Sequence, residues 1–356
     1  MEGEINNLIM VWALVYVSVC YCYGVARIIP KGRTRLITFL PVVSLFLFLP
    51  LNYLHSIHLG GGTCVFISWL GNFKLLMFAF DVGPLADQSL PLPHFVALAC
   101  LPIKYQKNPP PQPPSNLKVG PNKDIPYPEI SRSGIDSPLV YAFKGLALAL
   151  WVRGYDYSNY LYPKVVRFQI IIHLCGTVEF LFAIFATLAQ VLLRTKVEPQ
   201  FNDPHLSTSL HNFWGSRWNL MVSDTLRSSI YRPIRNHFRP ILGHEWSLFL
   251  ALMGSFLVSG LMHDLVLYQT GRMRPKWRCT LFFVIHGLCL IVEIVTKNKL
   301  SGKFRLPSVI SGLVTLAFVA VTFSRLILTE LLQIRVVQRL FEEYAAVGTF
   351  MREIIH

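Results

Sequence analysis

Charge is what this chain lacks. Only 15% of its 356 residues are Asp, Glu, Lys or Arg, while 53% are hydrophobic; an ordinary soluble domain carries about a quarter charged residues. A water-soluble fold is excluded on that ground. Residues 36–73 contain no charged side chain at all, enough for two spanning helices of ~20 residues each with a turn at "HSIHLGGG". Similar runs at 8–26, 139–152, 165–193, 246–268, 280–295 and 308–328 raise the expected number of spans to eight, or nine if 92–103 dips in as a re-entrant piece. The expected fold class is therefore all-α and polytopic, as one membrane-bound domain over 1–356. No small-residue cleavage site follows the first run before the basic "RIIPKGRTR", so a retained first helix is expected rather than a signal peptide.

Several chemistries are missing too. There is no G-x-S-x-G elbow, no Walker A loop and no H-E-x-x-H, which removes the common hydrolase, nucleotide-hydrolysing and zinc-protease classes. The seven cysteines form no C-x-x-C and join no histidine at zinc spacing; they read as buried, reduced, apolar filler. Neither a metal nor a resident cofactor is expected. No internal repeat is visible, which weakens a transporter built on repeat symmetry.

What charge there is sits between the apolar runs and sums to +14. Positive-inside bias and anionic headgroups explain much of it. A basic mouth for a phosphate-bearing ligand is the sharper alternative, above all in 194–239. Because the charge is spread between spans, no nucleic-acid partner is expected. Between 104 and 137 the proline-rich "KNPPPQPPSNLKVGPNKDIPYPEI" predicts an extended aqueous loop. Over 194–245 hydropathy falls while aromatics persist. Trp218, Val222, Leu226, Ile230 and Ile234 recur every fourth residue, the pattern of interfacial helices, with Pro233 expected to end or kink the run.

Two stretches carry candidate chemistry. In "SGLMHD", His263 lies inside an apolar run beside Asp264, and an ionisable pair at membrane depth is a functional candidate by default. Ser255, Ser259 and His263 share one helical face, small in front of the imidazole. A hydrogen-bonded packing histidine is the plainer alternative. His286 is a weaker candidate of the same kind, without an acidic neighbour. In "LHNFWGSRWNLM", Trp214, Arg217 and Trp218 suit a headgroup-level anchor, which leaves Gly215 and the uncharged donor and acceptor Asn219 unexplained.

On these segments, together with "PQFNDPHLSTSLHNFWGSRWNLMVSDTLR", "VSGLMHD", "FFVIHG" and "WLGNFKLLMFAFDVGPL", the chain resembles the plant wax synthase branch of the membrane-bound O-acyltransferase family. The resemblance implies a multi-helix fold in the endoplasmic reticulum membrane around a tunnel where acyl-CoA, a co-substrate, meets a lipid hydroxyl. It maps the family's functional histidine onto His263 and its motif asparagine onto Asn219. Trp214, Arg217, Trp218, Ser259 and His286 are the expected substrate-binding residues, with Arg217 the candidate for CoA phosphate. The expected acceptor is a long-chain fatty alcohol, with a sterol, diacylglycerol or terpenoid alcohol as rivals, and membrane lipids as surroundings. Ser216, Asp264 and the pair His211, Asn212 depart from the branch's usual Arg, Glu and Gln-Asp. From a different class, the alternative is a non-enzymatic lipid transporter or binding protein.

Overall fold

The structure is a computed structural model that describes residues 2–106, 138–300 and 307–355. The proline-rich stretch 107–130 lies outside the described residues. In chain order the helices are α1 (Glu2–Ile28), α2 (Arg33–Tyr53), α3 (Leu59–Thr63), α4 (Asn72–Ala79), α5 (Leu92–Cys100), α6 (Pro138–Arg153) and α7 (Pro163–Leu193). They are followed by α8 (Leu210–Asn212), α9 (Leu220–Leu226), α10 (Arg232–Gly271), α11 (Arg278–Leu300), α12 (Ser308–Arg325), α13 (Ile327–Gln333) and α14 (Val336–Ile355). Among the described residues the only extended pairing is the isolated bridge between Tyr105 and Val197.

Seven stretches among the described residues are long and apolar enough to cross a bilayer: Gly3–Ile28, Arg33–Tyr53, Leu59–Ala79, Pro163–Leu193, Leu220–Gly271, Arg278–Lys299 and Ser308–Gln333. The protein is a polytopic all-α membrane protein. Two expected spans are not among the seven. Residues 139–152 fall in α6, whose 16 residues reach about 24 Å at 1.5 Å per residue, short of a ~30 Å hydrocarbon core. Residues 92–103 form the nine-residue α5, whose Phe95, Leu98, Ala99 and Cys100 are buried in one cluster with α1 and α2.

Helical spacing explains how the first helices pack. Val11, Val15 and Val19 on α1 and Phe39, Val42, Phe46 and Leu49 on α2 are buried, one stripe of each helix at three- and four-residue intervals. Ile9, Val17, Ile37 and Phe48 on the opposite faces are exposed, as lipid contact requires. Lipid tails are as apolar as Leu side chains, so such stripes supply little drive for association in a membrane, and polar fasteners carry more of it. Arg35 donates to Ile29 O, Phe78 O and Ala26 O, and the buried Lys74 donates to Leu98 O and Leu101 O.

The expected break at Pro233 is absent. A π-helical turn, Arg227–Tyr231, runs without interruption into α10, so Pro233 stands inside continuous helix, just behind a turn that has already left the i→i−4 ladder a proline interrupts. The break falls instead at Gly243, with φ 77° and ψ −178°, a conformation that L side chains rarely adopt. A large buried cluster lies on α1, α2, α4, α5 and α7, and a second on α10 and α11. Between them sits a small one of Trp69, Leu70, Met221, Val222 and Leu226, and the site opens there.

Candidate active site

The 200s segment is built from caps and tight turns. Ser209 caps α8 by accepting from Asn212 N at 3.0 Å, and the Leu210 N–H donates to Glu293 Oε2 on α11 at 2.8 Å. A π-helical turn follows at Phe213–Arg217, closed by Trp218 N donating to Phe213 O at 2.9 Å. The chain then reverses at Asn219, which is left-handed with φ 40° and ψ 67° and is the N-cap of α9. Asparagine is among the few residues that tolerate this conformation. Its Oδ1 accepts from Val222 N at 3.2 Å. An N–H can only donate, so the oxygen end of the amide faces the helix and the NH2 end remains for another partner.

On α10, the His263 ring is held between Phe283, at 4.5 Å between centroids and 33°, and Trp69, edge to face at 4.8 Å and 73°. Its Nδ1 lies 2.7 Å from Ser259 O. A carbonyl oxygen only accepts, so Nδ1 carries the hydrogen and Nε2 carries the lone pair. Nε2 makes no hydrogen bond to the described residues. A packing histidine would make the Nδ1 contact and the ring contacts too; the feature that goes beyond packing is the unbonded Nε2.

His263 and Asn219 line the same cavity of ≈ 120 Å³, and Trp214, Trp218 and Ser259 line it with them. Two expected residues do not. The half-buried Arg217 directs its guanidinium to Asn212 Oδ1 at 2.8 Å, Asn202 O at 3.0 Å and Asp203 O at 3.1 Å, bracing the 202–203 turn rather than facing the cavity. His286 is fully buried one layer behind the wall. Its Nδ1 accepts from Trp214 Nε1 at 3.1 Å and its Nε2 donates to Thr322 Oγ1 at 2.9 Å. Both nitrogens are engaged, so His286 orients Trp214.

Asp264 also turns from the histidine. Its Oδ2 accepts from Thr280 N at 3.0 Å and Thr280 Oγ1 at 2.6 Å, seating the start of α11. One turn earlier on the same face, a Cβ at Gly260 would come 2.6 Å from Thr280 Cα, so glycine permits the contact between α10 and α11. His263 itself stands on the adjoining face.

The cavity wall also includes Trp69, His211, Arg227 and Tyr231, to none of which the sequence reading had assigned a site role. Trp69 opens one of the segments that carry the family resemblance, and His211 and Arg227 lie in another. Inside an uncharged run, nothing distinguishes a cavity-facing tryptophan from a lipid-facing one. Burial holds the His211 imidazole below its ordinary pKa against the opposing pull of Glu293, so it is neutral at pH 7.

An imidazole with one unbonded nitrogen, an unbonded amide NH2 group and an apolar wall share one cavity of this polytopic membrane protein. The sequence profile of the membrane bound O-acyl transferase family matches residues 197–285, a span that holds both Asn219 and His263. The chain is 40% identical to acyl-CoA–sterol O-acyltransferase 1 of Arabidopsis thaliana over 350 residues, 98% of this chain and 97% of that one. It is 38% identical to the long-chain-alcohol O-fatty-acyltransferase of Simmondsia chinensis over 353 residues, 99% and 97% of the two chains. The chain belongs to the membrane-bound O-acyltransferase family, in the branch that holds the long-chain-alcohol O-fatty-acyltransferases.

Proposed function

We propose that this enzyme transfers the acyl group of an acyl-CoA to the hydroxyl of a long-chain fatty alcohol, giving a wax ester, in the endoplasmic reticulum membrane. The observation that carries the mechanism is the pair of atoms left available on the cavity wall, Nε2 of His263 and the NH2 group of Asn219. Each is left available because the other polar atom of the same side chain is hydrogen-bonded to backbone.

His263 Nε2 takes the hydroxyl proton as the alcohol oxygen attacks the thioester carbonyl, a step suited to an imidazole near neutral pH. The Asn219 NH2 donates to the thioester end of the acyl-CoA and polarises its carbonyl. Collapse of the adduct breaks the C–S bond, and the CoA sulfur leaves with the proton held by His263. Trp214, Trp218, Phe256 and Phe283 exclude water, which would otherwise compete with the alcohol for the thioester. Arg227 is the arginine on this wall and takes over from Arg217 as the partner for CoA phosphate.

A sterol acceptor is the second reading, favoured by the 40% identity to a relative named for sterol acylation. Mass spectrometry of purified protein in liposomes decides between them, given acyl-CoA with fatty alcohols, sterols, diacylglycerol or terpenoid alcohols. Wild type is expected to make the fatty-alcohol ester and His263→Ala none. Full turnover by a folded His263→Ala would end the mechanism, and esterification of sterol alone would move the assignment to the second reading. Membrane fractionation of the expressing cell checks the location.

A further inference from the structure

At the edge of the cavity four charged side chains form one network. Lys104, four residues beyond α5, places its Nζ 2.7 Å from Asp224 Oδ2 on α9 and 3.1 Å from Glu198 Oε2. Arg227 Nη1 lies 3.5 Å from Asp224 Oδ1. All four side chains are less than half exposed, so salt screens them less than charges on an open surface. Of the four, Arg227 lines the cavity and the other three do not.

Backbone fixes where Lys104 starts from. Its carbonyl accepts from Glu198 N at 2.8 Å, and Gln106 N donates to Lys196 O at 2.9 Å, the two bonds that flank the bridge between Tyr105 and Val197. Val197 belongs to the large buried cluster, and Tyr105 packs against it. The chain leaving that bridge goes on to α9, where Gln200 O accepts from Leu220 N, the residue after Asn219, at 2.8 Å. Along α9 and the turn beyond it, Asn219, Ser223 and Arg227 recur every fourth residue on the cavity wall. Asp224, one residue past Ser223, stands about 100° round the helix from it, yet within reach of Arg227 three residues on.

We propose that Lys104 is a positioning residue for acyl-CoA, holding the Asp224 carboxylate off Arg227 so that the guanidinium meets CoA phosphate instead. The inference rests on the reading of Arg227 as the phosphate partner. A carboxylate and a phosphate suit the same guanidinium fork, so Asp224 is a competitor for Arg227 built into the chain. Lys104 has the shorter contact and the more compact charge. With attraction falling as 1/r, its pair at 2.7 Å is about 1.3 times as strong as the pair at 3.5 Å in the same medium. Without Lys104, the carboxylate closes onto Arg227, and acyl-CoA has to break that pair before its phosphate binds.

Initial rates over an acyl-CoA titration, in liposomes of uncharged phosphatidylcholine, test this. Lys104→Gln is expected to raise KM for acyl-CoA about 5–10-fold with kcat near wild type, while Lys104→Arg, which keeps the charge, stays near the wild-type KM. The separating variant joins Lys104→Gln to Asp224→Asn. Removing the competing carboxylate should return KM to the wild-type level or below, although this protein has lost the ion pair altogether. A merely structural pair predicts the opposite order, with the double variant at least as impaired as Lys104→Gln and both losses tracking Tm. With Arg227→Gln raising KM, an unchanged KM in Lys104→Gln, or a raised one that the double variant does not restore, overturns the role of Lys104 alone. No rise of KM in Arg227→Gln overturns the reading of Arg227 and this inference with it.

Discussion

Asn219→Asp keeps the oxygen that accepts from Val222 N at 3.2 Å and removes the NH2 group. Aspartate tolerates the left-handed φ of 40°, and a carboxylate at the N-terminus of α9 adds about 0.3–1 kcal/mol of favourable dipole interaction. The variant should melt at or above the wild-type temperature. Its kcat should nonetheless fall on the order of 10²–10³-fold, the usual loss for one removed oxyanion-site donor. Asn219→Gly complements it: glycine gives up the side chain at a capping cost of only a few tenths of a kcal/mol and adopts the positive φ freely, so kcat drops again with little change in Tm. Asn219→Ala loses the cap, ~1 kcal/mol, and strains the left-handed backbone by about 1–2 kcal/mol. It alone should be both unstable and inactive. The assay is ester formation in liposomes across an acyl-CoA series, with thermal melting in the same lipid. Wild-type turnover by Asn219→Asp would refute the argument, since the residue would then be a cap and nothing more.

Arg217→Ala should lower stability by on the order of 2 kcal/mol through its lost backbone hydrogen bonds and leave KM for acyl-CoA unchanged, whereas Arg227→Gln should raise that KM; titrated initial rates distinguish the two. Gly260→Ala should lower both Tm and kcat without touching a reacting group, because the new methyl would have to displace the Thr280 backbone 2.6 Å away; melting curves beside rate measurements check this. Glu343 on α14 accepts from the Ile57 and His58 N–H groups and from His58 Nδ1 at 2.6 Å. Burial pushes its carboxyl upward, and those hydrogen bonds together outweigh burial and hold it below the usual range. With the folded value below the unfolded one, its stabilisation is complete above the unfolded pKa of about 4.3 and disappears as pH falls through the folded value. Hydrogen exchange of α14 should therefore be level from neutral pH down to about 5 and rise in stronger acid, and Glu343→Gln should flatten that acid dependence.

The two polar residues that share the cavity wall, His263 and Asn219, were legible because polar groups in an apolar chain are few. His263 stood out against its run, and Asn219 against a tryptophan pair that a headgroup anchor would have explained without it. Arg217 and His286 were misplaced for the same reason seen from the other side: at membrane depth, backbone carbonyls and ring nitrogens need partners as much as substrates do. Which need a given arginine meets is decided by the 202–203 turn folding under it. Gly243, in turn, passed unnoticed beside Pro233. A proline is read by its missing N–H, yet behind a π-helical turn that loss does not end the helix, while a glycine's φ is invisible until the chain is folded. Trp69 carried no local signal, since which side of an uncharged helix faces the cavity is settled only when the chain has folded.

The cavity, at ≈ 120 Å³, is smaller than the ~150 Å³ hole that accepts a single benzene molecule in an engineered core. Room of that size admits a thioester and a hydroxymethyl end, so on the wax-ester reading the greater part of both aliphatic tails would lie outside it, towards the hydrocarbon. Recognition then reads the last few atoms of each substrate, while tail length is measured by whatever the tails lie in. A change of bilayer thickness would act on this enzyme as a change of specificity, with no residue altered.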